Sequence, residues 1–478
     1  MPISSPLTEK INLDDCYRYV EGEVFRLRPQ SYCLEYSNWP GQVGLELEQF
    51  TFKKSSFLKN NPELLPLHNG DESLSVLLQN LAKDQGWSCV FSDDAHTNLM
   101  SVKLEDGDQL TFEPGGQLEF SSVPYPCLSD ALERLTSVTD ILQQYFSQNN
   151  VHMIATGINP WQTVEEIGLQ MNKPRYRAMN DYFSEIGPYG PRMMRQTGTI
   201  QVNLDFGANE QILAKRFLAS NLLAPFATGI FAGSPQVNNS LSDFASTRAE
   251  AWRHIDPSRT GIPELGRVAE TLTKSSCVET YLKQLLDAPV IFVEKLNYQR
   301  PRAMTFSEWL KKPYEGVSPT MQDFVTHMSL HFPEVRARGF LELRSIDAQA
   351  AVWQPVPAAF YTGLLYVDEI IDQVIDLLSP KISELSETLK LASYGLMRDE
   401  VVNDAQRVMN LALDGFQLLP DCFKGERTEK QLAAFADRFT NRGRCPADDM
   451  RDMTTQSGGK IVPDTFKRLD EDWLKLIE

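Results

Sequence analysis

The sequence contains no apolar run near the ~20 residues that a membrane-spanning helix needs. Its start, MPISSPLTEKINLDD, lacks the basic and apolar regions of a signal peptide. Histidine and cysteine are scarce, with six and seven residues in 478, and no C-x-x-C pair occurs, so neither a zinc site nor a secreted disulfide framework is indicated. We therefore expect a cytoplasmic protein with reduced thiols and no membrane attachment.

Several common motifs are also missing. The chain has no G-x-x-x-x-G-K-[ST] loop, no G-x-G-x-x-G after a strand and no G-x-S-x-G elbow, which removes the main support for P-loop, dinucleotide-binding and α/β-hydrolase proteins. Acidic side chains outnumber basic ones, 64 against 46, and the net charge of -18 repels polyanions, so we expect no nucleic-acid partner. Hydrophobic residues make up 42%, which is enough for an ordinary globular core.

What the sequence does contain is a repeated alternation of apolar and polar residues. This period of two predicts strands with one face on a core and one face in contact with water, in the segments VGLELEQF, QLTFEPGGQLEF, TIQVNLDF and FLELRSID. Segments with helical spacing separate these strands, and the polar alternation favours an antiparallel sheet, so we expect an α+β fold. We divide the chain into an N-terminal segment (1–40), a sheet region with helical insertions (41–366) and a mainly helical region packed on the same domain (367–478).

The polar faces of these strands carry an unusual number of oxygen-bearing side chains. One strand with Glu46 and Glu48 on its wet face is typical of any half-exposed strand. When four such strands come from distant parts of the chain, their carboxylates would repel one another unless cations neutralised them. Magnesium, bound together with the phosphates of a nucleotide, is a suitable cation. Arg344 and Arg259 are available for contact with a phosphate or a carboxylate, with a structural ion pair as the alternative for each.

A series of sequence blocks resembles a known family. GLELE, FEPGGQLE, RYRAMNDYFSEIGPYGPRMMRQTGTIQVNLDF, SDFASTRAEAWRHIDPSRTG, RAMTFSEWL, FPEVRARGFLELRSID and PAAFYTGLLY occur in this order from about residue 40 to 370. Together they resemble the glutamate-cysteine ligases of the plant and proteobacterial type, within the wider carboxylate-amine ligase group. Each block is weak by itself, but the collinear agreement of so many is strong.

The resemblance implies a glutamine-synthetase-like fold, in which an antiparallel sheet curls into a funnel that holds ATP and two or three magnesium ions. It implies ligation of the glutamate γ-carboxylate, through γ-glutamyl phosphate, to the amine of cysteine as the first step of glutathione biosynthesis, by a monomer or homodimer. The implied metal ligands are Glu46, Glu48, Glu113, Glu119 and Glu342. The implied catalytic arginines are Arg259 and Arg344. Residues implied to line the substrate or nucleotide pocket are Gln117, Asn203, Asp205, Ser246, Arg248, Trp252, Arg259 and Thr260.

The sequence departs from the plant members at several points. Pro301, Pro355 and Gly198 stand where plant enzymes carry cysteines, so we do not expect their regulatory disulfides. The acceptor amine is therefore open, and a γ-glutamyl ligase with another acceptor, such as one serving the ergothioneine pathway, is the alternative. From another class, the alternative is a catalytically silent module that binds a nucleotide or an amino acid, which the full set of carboxylates disfavours.

Overall fold

The computed structural model describes residues 9–28, 39–57, 62–70, 72–92, 98–296, 303–397, 399–459 and 464–478. The β-strands found in these ranges are β1 (Val43–Lys53), β2 (Ser88–Phe91), β3 (Leu99–Lys103), β4 (Gln109–Phe112), β5 (Leu118–Ser121), β6 (Val151–Ile154), β7 (Ile200–Leu204), β8 (Gln236–Val237), β9 (Ser240–Leu241), β10 (Val335–Ala337) and β11 (Leu341–Leu343).

Helices account for most of the remaining regular structure. The α-helices in the described ranges are α1 (Leu13–Tyr19), α2 (Lys54–Phe57), α3 (Leu74–Gln85), α4 (Leu128–Gln148), α5 (Val164–Ile167), α6 (Pro174–Ile186), α7 (Tyr189–Gln196), α8 (Glu210–Ile230), α9 (Thr247–Arg253), α10 (Pro257–Thr260), α11 (Gly266–Thr271), α12 (Lys274–Asp287), α13 (Phe306–Lys311), α14 (Met321–Met328), α15 (Pro355–Leu365), α16 (Asp368–Leu378), α17 (Leu385–Ala392), α18 (Asp399–Leu418), α19 (Glu426–Arg438), α20 (Pro446–Gln456) and α21 (Asp464–Leu474). A π-helical turn, Val20–Val24, and short 3-10 segments complete them.

Nine strands form one sheet in the order β10, β11, β7, β1, β5, β4, β3, β2, and β6 pairs with the second half of β1. All pairings in this sheet are antiparallel. The four segments with period-two alternation correspond to β1, to the β4–β5 hairpin, to β7 and to β11, and the C-terminal part is helical. The predicted α+β class with an antiparallel sheet flanked by helices is confirmed.

The central strand β1 separates an apolar side of the sheet from a polar side. Val43, Leu45 and Leu47 are fully buried and belong to the main core, which also contains side chains of α4, α8 and α15. Because successive residues of a strand point to opposite faces, Glu46 and Glu48 leave β1 on the other side. Burial of the apolar residues of β1 thus determines which of its side chains reach the polar face.

The turn between β4 and β5 brings two glutamates to that face. Gly116 has a φ of +85°, and its N–H donates to the carbonyl oxygen of Glu113 at 2.8 Å, which closes the turn. A Cβ at Gly115 would lie 2.2 Å from the carbonyl oxygen of Arg195, so only glycine permits this close approach of the end of α7. Glycines therefore set the position of the hairpin that carries Glu119.

Three other expectations concern the chain as a whole. The six cysteines among the described residues are free thiols, and Cys33 and Pro301 lie outside those residues. Among the described residues, no helix combines the length and the apolar character needed to cross a bilayer. The division at residues 40 and 366 stays a prediction.

Candidate active site

The polar face of the sheet lines a cavity of about 870 Å³. Its floor is set by the strand register, which places Glu48 opposite Glu119 and Glu46 opposite Gln201. On the far side of β7, Glu342 pairs with Asn203. Side chains from β1, β4, β5, β7, β10 and β11 therefore converge on one face, as the sequence alternation predicted.

Three carboxylates form what we call the acidic end of the cavity: Glu48, Glu113 and Glu119. One oxygen of each lies within 4.8 Å of the other two. Glu48 Oε2 accepts from the backbone N–H of Thr199 at 3.1 Å. Glu119 Oε1 accepts from the hydroxyls of Thr111 at 2.8 Å and Ser121 at 2.6 Å. These neutral donors orient the carboxylates without neutralising them.

The electrostatics of this cluster are unfavourable for the ionised form. Burial raises the pKa of Glu119 to about 7, and the neighbouring charge of Glu113 adds to the rise. Burial, then Glu113 and Glu119, also raise the pKa of Glu48. Glu46 lies between the acidic end and Glu342, and burial together with Glu342 and Glu119 raises its pKa to about 7. Burial and mutual repulsion thus favour the protonated form of these carboxyl groups unless a cation compensates their charge.

The donor set at the acidic end fits a hard divalent cation. The three ligand side chains offer only carboxylate oxygens, with no imidazole or thiolate among them. Magnesium and calcium take such oxygen ligands, whereas zinc and softer metals favour nitrogen and sulfur. The raised pKa values also indicate a cation site, since a bound cation would stabilise the ionised carboxylates, which otherwise repel one another.

The opposite part of the cavity, which we call the basic end, consists of Arg336, Arg338 and Arg344 around Glu342. Both Oε atoms of Glu342 accept from Arg336, one of them at 2.9 Å. Arg338 Nη1 donates to Oε1 at 2.8 Å and Arg344 Nη1 to Oε2 at 3.1 Å. Burial alone would raise the pKa of Glu342, but Arg336 and Arg344 beside it hold it below its usual range.

A second layer positions Arg344. Its Nη1 also donates to Gln201 Oε1 at 2.7 Å, and its backbone carbonyl accepts from Arg248 Nη2 at 2.7 Å. Both guanidinium groups lie over the ring of Trp252, 5.4 Å and 5.5 Å from its centroid. Arg344 Nε is buried without a hydrogen-bond partner, so this side chain has donor capacity that the described residues do not use. Arg344, Arg248 and Trp252 all line the cavity.

The other predicted pocket residues on β5, β7 and the adjoining turns also line the cavity. Asn203 Nδ2 donates to Glu46 Oε1 at 3.0 Å. Gln117 Nε2 donates to the carbonyl oxygen of Thr197 at 2.8 Å, so it supports the wall. Asp205 lies 3.2 Å from Arg28 Nε and accepts from the backbone N–H of Gln42. Asp205 therefore has structural partners at the edge of the cavity.

Some predicted residues are not brought into the cavity. Arg259 is fully buried, its guanidinium donates to the carbonyl oxygens of Leu330 and Pro289, and its Nε lies 3.2 Å from Asp256. Thr260, next to it, donates to the carbonyl oxygen of Asp256. The donors of Arg259 thus point into the protein in this structure, and neither Arg259 nor Thr260 lines the cavity. Their contact with phosphate or substrate stays a prediction.

Two further predicted roles change for related reasons. Ser246 caps α9 by accepting from the N–H of Ala249, and its hydroxyl donates to Asp347 at 2.9 Å, so it supports the fold behind the cavity. Glu342, predicted as a metal ligand, has both oxygens engaged by arginines and lies apart from the three-carboxylate cluster. In this structure Glu342 holds arginines, and its role as a metal ligand stays a prediction.

Sequence reasoning assigned no role to several cavity residues. Arg336 lies in β10 and Arg338 follows its last residue, but a strand of three residues is too short to show a clear alternation in the sequence. Arg175 reaches the cavity from α6, where its guanidinium lies 5.1 Å from the ring of Tyr176. Nothing in the local pattern distinguishes Arg175 from other helix-surface arginines.

Comparison with known proteins gives a consistent result. Residues 42–467 match the profile of glutamate-cysteine ligase family 2 (GCS2). Similar curated proteins are named glutamate-cysteine ligase, chloroplastic: that of Medicago truncatula is 31% identical over 81% of this chain and 74% of its own, and that of Arabidopsis thaliana 30% over 90% and 79%. A crystal structure of glutamate-cysteine ligase from Francisella tularensis in complex with AMP superposes with a TM-score of 0.54 at 10% identity, covering 92% of this chain and 90% of the other. That similarity concerns the fold.

The relatives also correct one expectation. Those of Medicago truncatula and Arabidopsis thaliana, like that of Nicotiana tabacum, are named chloroplastic, so the prediction of a cytoplasmic location is wrong. The prediction used the composition and the first residues of the sequence. Those features describe the chemistry of the chain and do not report the compartment to which a protein is delivered.

Proposed function

The chain belongs to glutamate-cysteine ligase family 2, and on that premise we propose how its cavity joins the γ-carboxylate of glutamate to the amine of cysteine at the expense of ATP. The observation that carries this proposal is the arrangement of one cavity with two ends. Three carboxylates suited to a divalent cation lie at the acidic end, and arginine donors suited to anionic substrate groups lie at the basic end.

The reaction needs both kinds of group. A carboxylate is a poor electrophile, so transfer of the terminal phosphoryl group of ATP to the glutamate γ-carboxylate first creates a leaving group. The amine of cysteine then attacks the acyl carbon of γ-glutamyl phosphate, and phosphate leaves with the electrons of the broken C–O bond. The products are γ-glutamylcysteine, ADP and phosphate. Both steps concentrate negative charge, which preorganised cationic groups stabilise.

Magnesium would be held at the acidic end by Glu48, Glu113 and Glu119, with Glu46 next to them, and we keep two or three ions as the expected number. When bound there, magnesium supplies positive charge to the phosphates of the nucleotide. The role of the protein is to keep the carboxylates converged. Thr199, Thr111 and Ser121 do this through hydrogen bonds to two of them.

The basic end would bind and orient anionic groups. Arg344 is the strongest candidate, because it lines the cavity and its buried Nε has no partner among the described residues. Glu342 and Gln201 fix the other part of its guanidinium, so the free donors keep one direction. Arg248 supports this position by donating a hydrogen bond to the backbone carbonyl oxygen of Arg344. A planar, fixed fork of donors suits the oxygens of a phosphoryl or carboxylate group.

The direct test uses purified protein with ATP, magnesium, glutamate and a series of amines: cysteine, serine and glycine. Phosphate release and product mass are measured together. We expect cysteine to give γ-glutamylcysteine with one phosphate per product. A larger specificity constant for another amine would retain the γ-glutamyl ligase chemistry and reject cysteine as the acceptor. ATP binding without any product would instead favour a silent binding module.

A matched pair of variants tests the site assignment. Glu48→Gln removes one charge from the acidic end, and we expect turnover to fall about 10²-fold or more, as for loss of other transition-state electrostatic groups. Glu133→Gln changes an exposed glutamate on α4 and should leave turnover unchanged. Equal turnover of both variants at limiting magnesium would refute the metal assignment.

A further inference from the structure

A second cavity, of about 690 Å³, shares no lining residue with the catalytic one. It is enclosed by β6, the C-terminal half of α4, residues 348–354, α20 and α21. Consecutive residues of β1 each line one cavity, Glu48 the first and Gln49 the second, because neighbouring side chains of a strand point to opposite faces. Its volume is in the range of roughly 300–1,000 Å³ that small-molecule pockets occupy.

The clearest sign of a ligand is the side chain of Gln49. It is only 6% exposed, its amide reaches the open space of the second cavity, and within the described part of the chain this amide has no hydrogen-bond partner. The other buried glutamines described all form side-chain hydrogen bonds: Gln42, Gln117, Gln196, Gln201, Gln236, Gln349, Gln354 and Gln431. Polar groups of buried residues are almost always paired with protein groups or ordered water. The amide of Gln49 faces the cavity, so its partner comes from outside the chain.

The walls around Gln49 are apolar and partly aromatic. The rings of Phe57, Phe466 and Trp473 line the cavity, and Phe57 lies 4.8 Å from the ring of His152, centroid to centroid. Flat ring faces of this kind make favourable contacts with another flat ring. The shape and chemistry of the walls favour a planar ligand over a flexible, heavily hydrated one.

The ionisable groups that line the cavity carry little net charge near neutral pH. Burial, with a smaller contribution from Glu471, raises the pKa of Asp470 to about 7. Burial and two nearby lysines lower the pKa of His152, so its imidazole is neutral. The remaining charged groups are Asp140 and Lys467, which are exposed and of opposite sign. The cavity therefore offers no fixed charge of one sign to an ionic ligand.

We propose that this second cavity binds an uncharged, planar small molecule that presents a carboxamide, or an equivalent donor–acceptor edge, to Gln49. A primary carboxamide offers N–H donors beside a carbonyl acceptor, and the amide of Gln49 offers the same set in reverse order. Two antiparallel hydrogen bonds would then pair the carbonyl oxygen and one N–H of each amide, with the ring of the ligand between the aromatic walls. This site is distinct from the catalytic cavity.

Nicotinamide is a suitable probe, since it combines a flat ring with a primary carboxamide and is uncharged at neutral pH. Its binding to the full chain is measured by saturation-transfer NMR and titration, without ATP or magnesium. We expect saturable binding that Gln49→Leu weakens at least tenfold. Gln143→Leu, which changes an exposed glutamine on the cavity wall, should leave the Kd within a factor of two. Nicotinate should bind at least tenfold more weakly than nicotinamide, because it is charged and lacks the N–H donors.

Further measurements test where nicotinamide binds. Addition of ATP and magnesium should not displace nicotinamide, because the two cavities have separate walls. Ala351→Trp places a bulky side chain at an exposed position of the wall and should block binding, which provides a second variant if Gln49→Leu fails to fold. No binding to the wild-type chain, displacement by ATP, or a Kd in the Gln49 and Ala351 variants equal to that of the wild type would each overturn the proposal.

Discussion

The two ends of the catalytic cavity use the same residue type on the same sheet face and give it opposite properties. At the acidic end, burial and like charges raise the pKa of Glu119 to about 7. At the basic end, three arginines surround Glu342, which is buried more completely, and hold its pKa below the usual range. Burial alone therefore does not decide the ionisation of a cavity carboxyl group. The charge of its neighbours does.

This contrast distinguishes a carboxylate whose charge the protein itself compensates from carboxylates whose charge needs protons or a bound cation. The negative charge of Glu342 is compensated within the protein by three arginines, which leaves positive charge over at this end of the cavity. Glu48 and Glu119 accept hydrogen bonds only from neutral donors among the described residues, so protons or a cation can compensate the charge that they form with Glu113. The first arrangement is suited to holding donors in place, and the second to binding metal.

Glu342→Gln should have the largest effect, because it leaves three arginines around a neutral side chain. Removing one partner of a buried ion pair costs about 3–5 kcal/mol, and we expect a loss of that size in the free energy of unfolding. Urea unfolding at pH 8 without divalent metal measures it. The same substitution at Glu46, which faces carboxylates, should leave stability unchanged or raise it. A stable Glu342→Gln protein would show that the arginine network does not support the fold.

The metal-free protein should lose stability as pH rises from 5 to 8. Glu46 and Glu119 have pKa values raised to about 7 in the folded chain. A raised pKa stabilises the fold fully below the unfolded pKa, near 4.5, and that stability is lost as pH rises through 7. We expect a change on the order of 3 kcal/mol, measured by urea unfolding at each pH.

Two comparisons sharpen this pH dependence. Saturating magnesium should reduce it, because a cation replaces the protons that the acidic end otherwise holds. The double variant Glu46→Gln, Glu119→Gln should flatten the profile without metal. Glu342 should not contribute over this range, since a lowered pKa adds stability above the unfolded pKa that is lost only in more acidic solution. An unchanged profile in the double variant would place the titrating groups elsewhere.

Magnesium binding at pH 7 should release protons, on the order of one for each ion bound. The cause is that the carboxyl groups of Glu46 and Glu119, whose pKa values are raised to about 7, are partly protonated at that pH. Calorimetric titrations in two buffers with different ionisation enthalpies give the number directly. At pH 9 the release should be smaller, because Glu46 and Glu119 are then already ionised. Equal release at both pH values would contradict the assignment.

The sequence predicted the polar face well because the signal is local. Alternation in VGLELEQF and TIQVNLDF follows from the pleat of a strand, so the order of residues alone is enough to assign Glu46, Glu48 and Asn203 to one face. The fold class followed from the same alternation together with the family resemblance. Cross-strand register, which decides that Glu48 lies opposite Glu119, became visible only in the sheet.

The sequence could not separate arginines that reach the cavity from those that do not. Arg259 and Arg344 both stand in family-like blocks, yet α10 turns Arg259 towards the carbonyl oxygens of Leu330 and Pro289. The partners of Glu342 were missed because β10 has only three residues, too few for a clear period. Long-range packing decides where each of these arginines points, and it cannot be inferred from the local sequence pattern.

Within the basic end, the three arginines should differ in importance, and Arg338 should matter least. Its side chain is 52% exposed, against 12% for Arg336, and each forms an ion pair with Glu342. Water screens an exposed pair, so Arg338→Ala should lower the free energy of unfolding by about 1 kcal/mol or less. Arg336→Ala should cost several times more, since it removes both bidentate donors to a buried carboxylate. Urea unfolding of the two variants side by side measures the difference, and equal losses would mean that solvent does not screen Arg338 in the folded protein.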